Sequence, residues 1–174
     1  MDEVITALFS LGRNYYEVPV EQVLPRSALF DLFSLKTTTC AAIAQTVAVQ
    51  SVHPPLFFCW LHQWVQIVPG NWVWQVRSLP ALAGVAAIGM IYVLNRTAFS
   101  KTAGLIAAMT MAVSPFAVYL SQEARHYTVP MLFIIMALLG LVRLQQNLRQ
   151  ERISIGVWIG WIVVNGIGFY IHYF

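Results

Sequence analysis

The chain alternates long apolar stretches with short charged punctuation. Between Arg77 and Arg96 lie 18 uncharged residues, between Lys101 and Glu123 there are 21, between Arg125 and Arg143 there are 17, and 22 follow Arg152. A helix rises about 1.5 Å per residue, so roughly 20 apolar residues cross the hydrocarbon core of a bilayer. The spacing predicts four consecutive spanning helices with cores at 79–94, 103–120, 128–141 and 155–174. The third is slightly short, and Arg143 at its end can snorkel.

The region between Lys36 and Arg77 holds 40 uncharged residues but is not a clean span. Pro54, Pro55, Pro69 and Gly70 interrupt it, and His62, Gln63 and Gln66 recur at helical spacing as a polar stripe. Trp60, Trp64, Trp72 and Trp74 crowd the same region, and Trp favours the membrane–water interface. Two interfacial helices over 40–52 and 55–68 are expected, with a re-entrant hairpin as the alternative. The fold class is then an all-α membrane protein. Residues 1–76 form a first outer loop with two juxtamembrane helices, and 77–174 form a four-helix transmembrane region.

Composition removes the other classes. With 59% hydrophobic and 10% charged residues, the chain cannot cover a water-facing surface, for which about 25% charge is usual. A soluble domain, a disordered tail and a secreted disulfide scaffold are excluded. The net charge of +3 comes from scattered arginines without a dense basic face, so no nucleic-acid partner is expected. Cys40 and Cys59 form no CxxC and read as buried apolar residues. Walker, GxSxG and HExxH motifs and internal repeats are absent.

Charge also orients the chain. Arg96 and Lys101 flank one turn, and Arg143, Arg149 and Arg152 occupy another, with only Glu151 against them. Two spans separate these turns, so they share a side, and the basic excess makes it cytoplasmic. The loop around Glu123–Tyr127 is then extracytoplasmic. Residues 1–77 join it unless the region 37–76 crosses the membrane an odd number of times. No signal peptide opens the chain, which is unusual for a segment placed outside.

Three polar clusters stand out. Asp2 and Glu3 precede the apolar run 4–11, where acids also suit a helix start. His53-Pro54-Pro55-Leu56 precedes Trp60, His62 and Trp64, a pattern that also suits the start of an interfacial helix. Ser121-Gln122-Glu123-Ala124-Arg125-His126-Tyr127 packs ionisable groups between two spans with almost no loop to dissolve them. Such a cluster at a membrane boundary points to a site.

Taken in order, His53-Pro-Pro-Leu, Leu61-His-Gln-Trp64, Arg77-Ser-Leu-Pro-Ala-Leu-Ala-Gly84, Ser114-Pro-Phe116 and Ser121-Gln-Glu-Ala-Arg-His-Tyr127 resemble the polytopic GT-C glycosyltransferases. The similar branch contains protein O-mannosyltransferases, the lipid A aminoarabinose transferase and bacterial mannosyltransferase-like proteins. The resemblance runs from Asp2 to the terminal residues 170–174 and rests most on the Ser-Gln-Glu-Ala-Arg element.

The resemblance implies transfer of a sugar from a polyprenyl-phosphate carrier to a lipid, glycan or protein acceptor on the outer face of a bacterial inner membrane. It places Asp2 and Glu3 at the family's acidic pair, as catalytic residues. An acceptor hydroxyl needs a carboxylate to take its proton, and Asp2 is the candidate base. The departing lipid phosphate gains negative charge, which a guanidinium stabilises. Arg125 is the first candidate for that grip and Arg77 the second, with a snorkelling anchor as the plain reading of Arg77. Glu123 would orient Arg125 or help bind the acceptor or a cation. Tyr127, His126 and His53 would line the site, while His172 reads as an interfacial histidine. Glu17 and Asp31 are assigned solvated loop positions.

No cofactor is certain. A divalent cation on His53, Glu123 and His126 is possible, although no DxD pair or tight ligand spacing supports it. The family's first transmembrane helix, later helices and any C-terminal domain have no counterpart in this sequence, so the chain is expected to be a fragment. The competing class is a small non-enzymatic polytopic membrane subunit, which accounts for the spans and basic turns but not for acids, Arg and His gathering on one face. A pore or transporter would want ionisable groups within the spans, where Asn165 is the main polar intruder.

Overall fold

The structure, a computed structural model, describes residues 2–19, 22–23 and 25–172, apart from the side chains of Asp2 and Leu29. Its helices are α1 (Asp2–Ser10), α2 (Arg26–Leu32), α3 (Cys40–Gln50), α4 (Leu56–Ile67), α5 (Trp72–Ala98), α6 (Lys101–Ala112), α7 (Pro115–Gln122), α8 (Thr128–Arg149) and α9 (Ile155–Ile171). A 3-10 turn at Tyr15–Glu17 adds to them, and no strand occurs among the described residues.

Local chemistry sets several of these starts. Thr39, Asn71, Ser100 and Ser114 each accept a hydrogen bond from a backbone N–H in the first turn of α3, α5, α6 and α7 respectively. Each cap satisfies a donor that the helix itself cannot pair.

Two helices, α5 and α8, are long and apolar enough to cross a membrane. Together α6 and α7 pass the same test, but they are bent by 59° at their junction, so the spans number two, or three with the bent pair. The expected unbroken helix over 103–120 is therefore corrected. Ser114 caps α7, and Pro115 at its first position has no N–H with which to continue the ladder of α6. The expected fourth span is α9, apolar but only 17 residues long. This is a helical membrane protein. Val85, Ile106, Met109 and Ile162 each expose more than half their surface, as lipid-facing side chains do.

Two cores divide the molecule. Between α5 and α8 lies a seam of Ala87, Leu94, Ile135 and Leu139. At one end of this bundle α1, α3 and α4 pack around Phe9, Val47, Phe57, Phe58 and Leu61, and the same core takes in Ala124, Val129 and Ile171. At the other end Gln146 donates to the Thr97 carbonyl at 2.9 Å, tying α8 to α5. The two basic turns thus lie on one side, and the Glu123–Tyr127 loop lies on the other.

Gly84 of α5 meets Ser121 of α7 so closely that a Cβ there would collide with the serine side chain. The absent side chain lets these two motif segments touch.

Two side-chain expectations are corrected here. Cys40 and Cys59 are not free apolar residues; they form a disulfide linking the start of α3 to α4, with Cα atoms 5.2 Å apart. His62 does not share the solvent face of Gln63 and Gln66. It is 2% exposed, with Nδ1 2.8 Å from the Ser10 carbonyl, because that edge of α4 lies against the end of α1.

Candidate functional site

The site forms where α1, the α3–α4 loop, the start of α5, the α7–α8 loop and the end of α9 converge. Glu3 is its brace. Arg77 donates to it at two points, Nε to Oε1 at 2.7 Å and Nη2 to Oε2 at 2.9 Å. The Ala124 N–H donates to the same Oε1 at 2.9 Å. One carboxylate therefore joins α1, α5 and the α7–α8 loop. The two-point geometry is the strong form of the Arg–carboxylate pair. The Arg77 hydrogen bonds hold the Glu3 carboxyl below its ordinary value; partial burial opposes this, and the Ala124 N–H and the charges of Arg77 and Arg125 reinforce it.

In the α7–α8 loop, Arg125 Nε stands 3.1 Å from Glu123 Oε2. The two are an ion pair by distance, although the approach is not aligned as a hydrogen bond between those atoms. The Arg125 guanidinium carbon is 5.8 Å from the centre of the Tyr127 ring, within cation–π range.

His126 is 4% exposed, and neither ring nitrogen has a hydrogen-bond partner. Its ring centre lies 4.4 Å from those of His53 and Tyr127 and 4.8 Å from that of His172. Burial lowers its pKa to about 3, with the charges of His53, His172 and Arg125 adding to the effect.

A cavity of about 410 Å³ opens beside this cluster, lined by Ile5, Thr6 and Phe9 of α1 and by His53, Arg125, His126 and Tyr127. A larger, mostly apolar groove of about 1210 Å³ runs past Arg77, Trp64, Trp72, Leu82 and Val85. Arg125 faces the first space and Arg77 the second.

The structure thus brings together Glu3, His53, Arg77, Glu123, Arg125, His126 and Tyr127. The Asp2 side chain lies outside the described residues; its backbone opens α1. Glu123 does not take the place considered for it beside His53 and His126, because its carboxylate turns to Arg125. His172, read from sequence as an interfacial histidine, joins the imidazole cluster instead. Glu17 is not merely solvated, since Arg13 and Lys36 both pair with it. The α1 wall of the cavity was also unforeseen, and nothing in the run 4–11 distinguishes its cavity face from its core face before α3 and α4 are in place.

These features define a helical membrane protein that gathers carboxylates, guanidiniums and imidazoles at one end of its bundle. The chain belongs to the family described as dolichyl-phosphate-mannose-protein mannosyltransferase, whose model matches residues 52–174. It is similar to "Putative mannosyltransferase YkcB" of Bacillus subtilis (strain 168), 34% identical over 97 residues, which cover 55% of this chain and 13% of that protein. It is also similar to "Putative mannosyltransferase YycA" of the same organism, 28% identical over 109 residues, covering 63% of this chain and 15% of that protein. The matched region is thus a small part of each relative's length. No solved structure matches the chain at a significant level.

Proposed function

We propose that this chain forms part of a glycosyltransferase that moves a sugar, mannose or a related hexose, from a polyprenyl-phosphate carrier to an acceptor hydroxyl outside the membrane. The observation that carries the reading is the placement of two arginines beside two adjoining spaces. Arg125 lines a cavity sized for a headgroup, edged by His53, His126 and Tyr127, and Arg77 lines an apolar groove suited to a lipid chain. Glu3 is bonded both to Arg77 and to the loop that carries Arg125.

The acceptor oxygen attacks the anomeric carbon and forms the new C–O bond. The bond from that carbon to the phosphate oxygen breaks, and its electron pair leaves with polyprenyl phosphate. Arg125 stabilises the charge that develops on the phosphate. The acceptor proton goes to a carboxylate, and Asp2 is the base in this reading. By helical register, position 2 falls on the same face of α1 as the cavity-lining positions 5, 6 and 9. Glu3, held ionised and bonded by Arg77, is a poor proton acceptor and serves as a brace.

The Cys40–Cys59 disulfide supports an extracytoplasmic site, since disulfides persist in oxidising compartments and this one ties together α3 and α4 at the site end. The basic turns at the opposite end support the same orientation, in a bacterial inner membrane crossed several times.

The test is product formation from a radiolabelled polyprenyl-phosphate sugar in membranes containing the full-length protein. Asp2→Asn should abolish transfer while donor binding persists. Arg125→Lys should slow it about 100- to 1000-fold, the usual cost of losing a fixed donor to a developing oxyanion. Asp31→Asn, on the exposed surface of α2, is the control. Asp2→Asn activity equal to the control would overturn the assignment of the base. Unimpaired Arg125→Lys would overturn the phosphate grip.

A further inference from the structure

Three histidines from distant parts of the sequence meet at one point. His53 lies at the middle of the α3–α4 loop and is followed by Pro54 and Pro55, which restrict the backbone there. His126 sits in the tight α7–α8 loop. His172 caps the end of α9, its backbone N–H bonded to the Gly168 carbonyl. One nitrogen can be taken from each ring so that all three lie within 4.8 Å of one another.

His126, buried at the centre with both ring nitrogens lacking a hydrogen-bond partner, is costly as it stands. A buried polar atom without a partner is unfavourable, since it has given up water for nothing. A structural histidine in a core is normally bonded, as His62 is to Ser10. His126 therefore calls for a ligand, and the two nearest rings offer the same kind of donor atom.

We propose that His53, His126 and His172 form a binding site for a transition-metal cation, zinc foremost. The donor set selects the metal. Imidazole nitrogen suits zinc, copper, nickel and iron, whereas calcium and magnesium require oxygen ligands, and among the described residues no carboxylate belongs to this group. Three histidines with a fourth position open to water or substrate is an established zinc arrangement.

The dimensions are compatible. Zinc–nitrogen bonds of about 2.0–2.1 Å in a tetrahedron set the nitrogens roughly 3.4 Å apart. The nitrogens, now within 4.8 Å of one another, need to draw together by no more than about 1.4 Å to reach that spacing. His53 and His126 also line the 410 Å³ cavity, so the fourth position opens toward Arg125. An oxygen donor entering the cavity meets a cation on one side and a guanidinium on the other. The site does not depend on the sugar-transfer reading; it rests on the three rings alone.

The experiment uses the 174-residue chain, purified in detergent with a tag free of histidine and stripped with a chelator. Zinc is titrated in competition with a chromophoric chelator, and cobalt is added separately as a spectroscopic probe. One equivalent of zinc should bind per chain, raise the unfolding temperature and displace cobalt from a site showing tetrahedral visible bands. Removing an outer-sphere partner of a metal site costs 10- to 100-fold in affinity, so losing a ligand should weaken binding by about 100-fold or more. His53→Gln, His126→Gln and His172→Gln are each expected to do so. His62→Asn, which retains a donor toward Ser10, should bind zinc as the parent does. If His126→Gln fails to fold, the other two variants decide the matter, because their rings are only partly buried. Absence of stoichiometric zinc binding in the parent, or binding unchanged in both His53→Gln and His172→Gln, would overturn the proposal.

Discussion

The Glu3–Arg77 pair allows a quantitative test of how the outer helices are fastened to the bundle. Glu3→Gln removes the charge but keeps the shape, leaving at most one acceptor for the Ala124 N–H and the guanidinium. Hydrogen bonds to charged groups contribute about 1.5–3 kcal/mol each when sheltered. Arg77 is 47% exposed and Glu3 25%, so water screens the pair and its net contribution falls to about 1–2 kcal/mol. At about 2–4 °C per kcal/mol for a chain of this size, Glu3→Gln should lower the unfolding midpoint by about 2–8 °C. Intrinsic tryptophan fluorescence during heating in detergent reads this, since Trp60, Trp64 and Trp72 pack against the core that the pair closes. Arg77→Gln should cost at least as much, because it leaves a partly buried carboxylate with the Ala124 N–H but without its guanidinium.

The double variant isolates the pair, with an expected coupling of about 1 kcal/mol or more. Acidity provides a second arm. The Glu3 carboxyl is depressed when folded, so the pair's stabilisation is complete above its ordinary value of 4.5 and is lost as pH falls through the lowered one. That acid-side loss should disappear in Glu3→Gln. Losses that simply add within about 0.5 kcal/mol, with the acid-side slope unchanged, would refute the account of Glu3 as the brace between α1, α5 and the α7–α8 loop.

Further outcomes follow from other contacts. Reducing the Cys40–Cys59 disulfide, which closes a segment with a separation of 19 residues, should cost about 3 kcal/mol, measured as a lower unfolding midpoint that Cys40→Ser reproduces. With that disulfide intact, Val52→Cys should react with a membrane-impermeant thiol reagent from outside intact cells and Gln150→Cys should not; the opposite pattern would reverse the orientation. Gly84→Ala should destabilise by about 1–3 kcal/mol through collision with Ser121, and adding Ser121→Gly should restore most of the loss in the same thermal assay.

The parts legible in the sequence are those controlled by local pattern. Charge-free gaps located α5 and α8 because a bilayer demands length and apolarity, and the basic turns identified the shared end because their charges are adjacent in sequence. Prolines and tryptophans located α3 and α4 for similar reasons. The break between α6 and α7 was present as Ser114-Pro115, a cap and first-position proline, but the apolar run continues through it and hides the boundary. The disulfide was illegible because a separation of 19 residues carries no pairing information until α3 and α4 fold back on each other. His62 was misassigned because spacing reveals a stripe but not which edge of it a neighbouring helix covers. Glu123 and His172 exchanged expected surroundings for a related reason. Glu123 finds a partner two residues away in its own loop, whereas His172 reaches His53 and His126 only when α9 has packed on α8.

The bend at Ser114–Pro115 also bears on the lipid around the protein. At about 1.5 Å per residue, the 12-residue α6 is roughly 18 Å long and the 8-residue α7 roughly 12 Å. Tilted by 59° from α6, the second segment adds only about half its length to the height of the pair, which reaches roughly 24 Å against a hydrocarbon thickness of about 30 Å. The 17-residue α9 is also short, at roughly 25 Å. Long walls of α5 and α8 therefore stand beside shorter flanks. If these flanks span the membrane, a bilayer that meets them by thinning does so at a modest cost for each ångström of mismatch. A dimple of this kind would bring the headgroup layer closer to the shorter flanks than to the ends of α5 and α8.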